Sequence, residues 1–98
     1  MVTETAPVLT GRRLRYAVAL LLFEAEGTVT LDELAARLGA SGYATSAEPR
    51  KVISDALRWE LRRGRAVRVR RGQYRSLGLA RSTVRWMRAQ VNAGAKTR

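Results

Sequence analysis

Glycines at Gly11, Gly27, Gly39, Gly42, Gly64, Gly72, Gly78 and Gly94 divide this chain into segments. Each segment carries its own hydrophobic period, so the fold must be assembled from several short elements. From Arg12 to Glu26 the apolar residues Leu14, Ala17, Val18, Leu21, Leu22 and Ala25 recur at helical spacing, and Gly27 ends the run. Thr28, Val29 and Thr30 are short and β-branched, the pattern of a small strand. Thr30 through Glu33 matches a capping box and predicts a second helix. Leu31, Leu34, Ala35 and Leu38 form its inner side, with Gly39 as the residue just past its end.

A third helix is expected over 46–63. Ser46 has the residue type of its cap, Glu48 is an early acid and Pro49 an early proline. Its core side holds Val52, Ile53, Ala56, Leu57 and Leu61, and the opposite side holds Lys51, Ser54, Asp55, Arg58 and Arg62. Over 65–77, Val67 and Val69 alternate with Arg68 and Arg70, and Arg71-Gly72 suits a tight turn. That is a β-hairpin with arginines on its outer face. A fourth helix over 79–92 follows, with Ala80, Val84, Met87 and Val91 in one stripe and Arg81, Arg85 and Arg88 beside it. Residues 1–11 and the basic tail 93–98 are expected to be frayed.

Ninety-eight residues suffice for one small domain, and 46% apolar residues suffice for its core. The chain contains no cysteine and no histidine. It therefore has no disulfide, thiolate metal site, histidine base or histidine ligand. No nucleophile–base pair, metal cage or phosphate-cradling glycine loop is legible, so the expectation is a protein that is not an enzyme and takes no cofactor or metal. No apolar run approaches the roughly 18 residues of a membrane span. Nor does the N-terminus have the layout of a signal peptide. The expected setting is soluble and cytoplasmic.

Charge then narrows the function. Nineteen basic and eight acidic side chains leave a net charge of +11. Residues 1–49 carry four basic and six acidic groups, whereas residues 50–88 carry thirteen basic groups against Asp55 and Glu60. Such a lopsided field attracts polyanions. Arginine outnumbers lysine seventeen to two. A coding bias accounts for arginine over lysine but not for the clustering. Guanidinium forks suit phosphates and guanine edges.

The order helix, short strand, helix, helix, two-stranded ribbon is that of a winged helix-turn-helix domain. The fold class expected is mainly α with a small β wing (α+β), spanning 12–78, with 79–92 as an added C-terminal helix. The third helix would enter the major groove, about 12 Å wide, through Lys51, Ser54, Asp55, Arg58 and Arg62. The wing would grip phosphates through Arg68, Arg70, Arg71 and Arg75. Arg50, Arg81, Arg85 and Arg88 are candidates for further phosphate contacts. Each group also has a plainer explanation. The helix face could be solvated, with Asp55 and Arg58 pairing at i, i+3. The ribbon arginines could guard an edge against aggregation.

Three stretches carry a family resemblance: Gly42-Tyr43-Ala44-Thr45-Ser46, Val52-Ile53-Ser54-Asp55-Ala56-Leu57, and Val67-Arg68-Val69-Arg70-Arg71-Gly72-Gln73-Tyr74. Together they resemble the HARE-type winged helix-turn-helix domain, over roughly residues 12–77. That domain occurs in restriction-linked proteins, Asx-like chromatin proteins and the delta subunit of bacterial RNA polymerase. The resemblance implies a tri-helical core with a wing and a role in DNA-linked regulation. The delta subunit carries an acidic tail, whereas this sequence ends basic, which favours direct DNA contact.

The reading is therefore a DNA-binding protein, a transcriptional regulator or nucleoid-associated factor, whose partner is double-stranded DNA. The alternative is an interaction module docking on an acidic surface of the transcription machinery. No small-molecule ligand is expected. Tyr43, Trp59 and Tyr74 are expected to complete the core rather than to stack bases. Glu60 falls within the apolar side of the third helix and needs an arginine or backbone N–H partner. Trp86 points away from its helix's apolar stripe. It is expected to contact a partner, a second copy of this chain, with a packing anchor as the other reading.

Overall fold

A computed structural model describes residues 7–95. The order is β1 (Val8–Leu9), α1 (Gly11–Glu24), β2 (Val29–Thr30), α2 (Leu31–Ala40), β3 (Ala44–Thr45), α3 (Pro49–Arg62), β4 (Ala66–Arg70), β5 (Gln73–Ser76) and α4 (Arg81–Ala95). The fold is α+β, with four helices and a small three-stranded sheet ordered β2-β5-β4, all antiparallel. A separate two-stranded parallel pair joins β1 to β3.

The hub is α1, against which α2, α3, α4 and β5 all pack. That is why Ala19 and Leu20, off the predicted stripe, are buried along with Leu14, Ala17, Val18 and Leu22. Around α1 the core gathers Leu34 and Leu38 from α2, Ile53, Ala56 and Leu57 from α3, and Met87 and Val91 from α4. Each large aliphatic side chain so buried contributes about 1.5–3 kcal/mol. In α4, Ala80 of the expected stripe is exposed, because it precedes the helix.

The capping box of α2 is complete. Thr30 accepts from the Glu33 N–H at 3.1 Å, and the Thr30 N–H donates to the Glu33 carboxylate at 2.8 Å. Helix α2 runs through Gly39, which was expected to end it, and stops at Ser41. Gly42, with φ +92°, takes the left-handed position instead. Helix α3 also starts later than expected. Its cap is Glu48, whose carboxylate accepts from the Lys51 N–H at 3.0 Å, with Pro49 in the first turn. Ser46 lies outside the helix because β3 occupies the chain just before it.

Of the terminal stretch expected to fray, Val8 and Leu9 are instead held in register with Ala44 and Thr45. Ala44 N–H donates to the Pro7 carbonyl at 2.9 Å, and Leu9 is only 1% exposed. Lys96 and Arg98 of the basic tail lie outside the described residues.

Candidate nucleic-acid interface

The outer side of α3 follows from its inner side. Ile53, Ala56, Leu57 and Glu60 turn inward, which leaves Lys51, Asp55, Arg58 and Arg62 exposed and Ser54 half-buried. Arg58 lies 3.9 Å from Asp55 one turn back, a loose and mostly exposed pair. Arg50 reaches Asp32 in the first turn of α2 at 3.3 Å. Exposed pairs of this kind are worth roughly 0–1 kcal/mol, so both arginines remain available to a stronger anion.

The hairpin differs from the expected alternation. Ala66 opposes Ser76, Val67 opposes Arg75, and Arg68 opposes Tyr74. Opposed residues share a face. The core side is therefore that of Ala66 and Tyr74, both buried, and not that of the valines. Arg68 shares this side but is exposed. A bulge at Val69 then resets the phase so that Arg70 opposes Gln73. Arg70 thereby joins Arg75 on the outer side, and Val69 is left 45% exposed. Arg71 and Gly72 make the turn, with Gly72 at φ +74°. Arg68, Arg70, Arg71 and Arg75 are all exposed.

The joint between α3 and the hairpin is a buried ion pair. Glu60, 2% exposed, accepts from Arg65 Nε at 3.0 Å and from Arg65 Nη2 at 2.9 Å. The Arg65 N–H also donates to the Glu60 carbonyl at 2.9 Å, and the Leu77 N–H donates to the Arg65 carbonyl at 2.9 Å. The end of α3, the start of β4 and the end of β5 are thus fastened at one point. Glu60 has the arginine partner the sequence called for.

The arginines of α4 have different neighbours. Arg88 pairs with Glu24 of α1 at 2.7 Å, so it fastens α4 to α1. Arg81 and Arg85 line a shallow depression with Val84 and Asn92, not the cleft that α4 shares with α3. Trp59 is the aromatic residue that departs from expectation. Tyr74 is buried and Tyr43 half-buried, but Trp59 is 39% exposed and surrounded by Arg15, Arg62 and Arg63. The i+3 and i+4 spacing of Arg62 and Arg63 from Trp59 was a legible local signal. Arg15 comes from another helix and was not. Trp86 is 50% exposed and packs edge-on against Tyr16, with ring centroids 5.0 Å apart.

No family model matches the chain, and no curated protein or solved structure matches it significantly. Among the described residues, no helix is long and apolar enough to cross a membrane.

Proposed function

We propose that this protein binds double-stranded DNA as a winged helix-turn-helix domain, with α3 in the major groove, the β4–β5 hairpin as the wing, and α4 as an addition. The element order, with the short β2 joined to β5 of the hairpin, supports this reading. One observation carries it. Lys51, Arg62, Arg68, Arg70, Arg71 and Arg75 are exposed on consecutive elements, and none forms an ion pair among the described residues. Charge held out to solvent in this way suits a polyanion. Phosphate contacts would supply most of the affinity, while Lys51, Ser54, Asp55 and Arg58 would meet base edges. As a transcriptional regulator or nucleoid-associated factor, the protein would work with the nucleoid in the cytoplasm.

The test is a salt-series binding measurement on random duplex, single-stranded DNA and RNA. Neutralising about 6–10 phosphates makes duplex affinity fall about 10³–10⁵-fold between about 50 and 200 mM salt. An isotherm insensitive to salt, or a preference for single strands, overturns the proposal. Val69, apolar and 45% exposed between Arg68 and Arg70, supports a second reading. In that reading the hairpin docks on an acidic protein surface of the transcription machinery, and a partner retained after nuclease treatment decides for it. Trp86, half-exposed on α4, is the residue through which a homodimer would form. Sedimentation of the wild type against Trp86→Ala tests that.

A further inference from the structure

Where α1, the second half of α3 and the first half of α4 meet, the surface opens into a cleft of about 630 Å³. This is within the range of small-molecule sites, about 300–1,000 Å³. Trp59 lines it from α3 and Trp86 from α4, together with Ser82 and Thr83. Arg15 of α1 and Arg63, just past the end of α3, complete its rim.

The charge within it is unbalanced. The guanidinium carbon of Arg15 lies 4.2 Å from the Trp59 ring centroid, that of Arg62 at 5.5 Å and that of Arg63 at 5.8 Å. The indole attracts each of them through its quadrupole. Arg62 does not line the cleft, but Arg15 and Arg63 do; these two cations repel each other, and neither forms an ion pair among the described residues. Arg65, which also lines the cleft, is already matched by Glu60. An anion would relieve the crowding, and an indole face is a stacking platform for an aromatic ring.

We propose that this cleft binds a small aromatic anion, a ring bearing a carboxylate or a phosphate. Its ring lies against the tryptophans and its charge on Arg15 and Arg63. Arg15, Arg63, Trp59 and Trp86 are not among the residues assigned to DNA, although the neighbouring Arg62 is, so the site can be tested apart from that assignment.

Trp59 and Trp86 are the two tryptophans of the chain, so intrinsic fluorescence reports on the site directly. Calorimetry and fluorescence titration with benzoate and with AMP are expected to give saturable one-to-one binding. Benzamide, which lacks the charge, and acetate, which lacks the ring, bind about tenfold more weakly or worse. Arg63→Gln and Trp59→Leu each weaken the better probe about tenfold. The Arg70→Ala/Arg71→Ala double variant binds it as wild type does. A preference for AMP marks a nucleotide site, and a preference for benzoate an aromatic-acid site. Arg15→Gln and Arg63→Gln alter surface side chains, so they carry the test if Trp59→Leu fails to fold. The proposal is overturned if neither probe saturates by on the order of 10 mM. It is also overturned if acetate or benzamide binds as well as benzoate and AMP do, or if the arginine variants bind as tightly as wild type.

Discussion

Replacing Glu60 with alanine removes the only buried charged or polar side chain among the described residues. It leaves the Arg65 guanidinium, 26% exposed, without the carboxylate that holds it at 2.9 and 3.0 Å. Breaking a buried pair from one side costs about 3–5 kcal/mol. The residual exposure of Arg65 lets water solvate part of its charge, which sets the expected loss near the lower end, about 3 kcal/mol. Against a total stability of about 5–15 kcal/mol, that is a large fraction. It lowers the melting temperature by on the order of 15 °C for a domain of this size. Arg65→Ala should cost as much or more, because the group it strands is the more buried one. Glu60→Leu combined with Arg65→Met should recover most of the loss, since apolar packing replaces the pair without stranding a charge. Urea denaturation of all four proteins, followed by circular dichroism, measures these differences. If Glu60→Ala costs less than about 1 kcal/mol, it behaves as a surface substitution, and the account of this joint is wrong.

Other outcomes test separate parts of the description. Thr30→Ala removes the side chain that accepts from the Glu33 N–H and should cost about 1 kcal/mol in the same denaturation assay. Leu9→Ala should cost about 2–4 kcal/mol, because Leu9 is 1% exposed; a negligible cost would mean that the β1 segment is not part of the core. Arg70→Ala with Arg71→Ala should weaken binding to all duplexes alike and make the slope of log affinity against log salt shallower by about 2. Lys51→Ala or Arg58→Ala should change the ranking of sequences in a selection from random duplex; an unchanged ranking would mean that α3 reads no bases.

Much of the architecture was legible because its signals are local. The capping box at Thr30 and Glu33, the apolar sides of α1 to α3, and the turn at Arg71-Gly72 each depend on residues within a few positions of one another. Glu60 was legible for a different reason: a carboxylate on an apolar helix face cannot stay unpartnered. The phase of the hairpin was not legible. Alternation of valine and arginine defines two faces without saying which one is inward, and the bulge at Val69 reverses the phase midway. The candidate DNA face was legible as a list of cations, but their pairing was not. Asp32 and Glu24 lie far along the chain from Arg50 and Arg88, yet each meets its arginine in space.

By itself the sequence determined where the four helices, β2 and the hairpin lie, where most of them turn, and that positive charge gathers after residue 49. These properties follow from spacing, backbone preference and composition, all of which act over short stretches. Tertiary structure alone decided that Val8 and Leu9 join β3, that α4 closes the second side of α1, and that Arg15 crosses to Trp59. Those are contacts between distant segments. They exist because burying apolar surface draws whole elements together, and no local period encodes which side chains then meet.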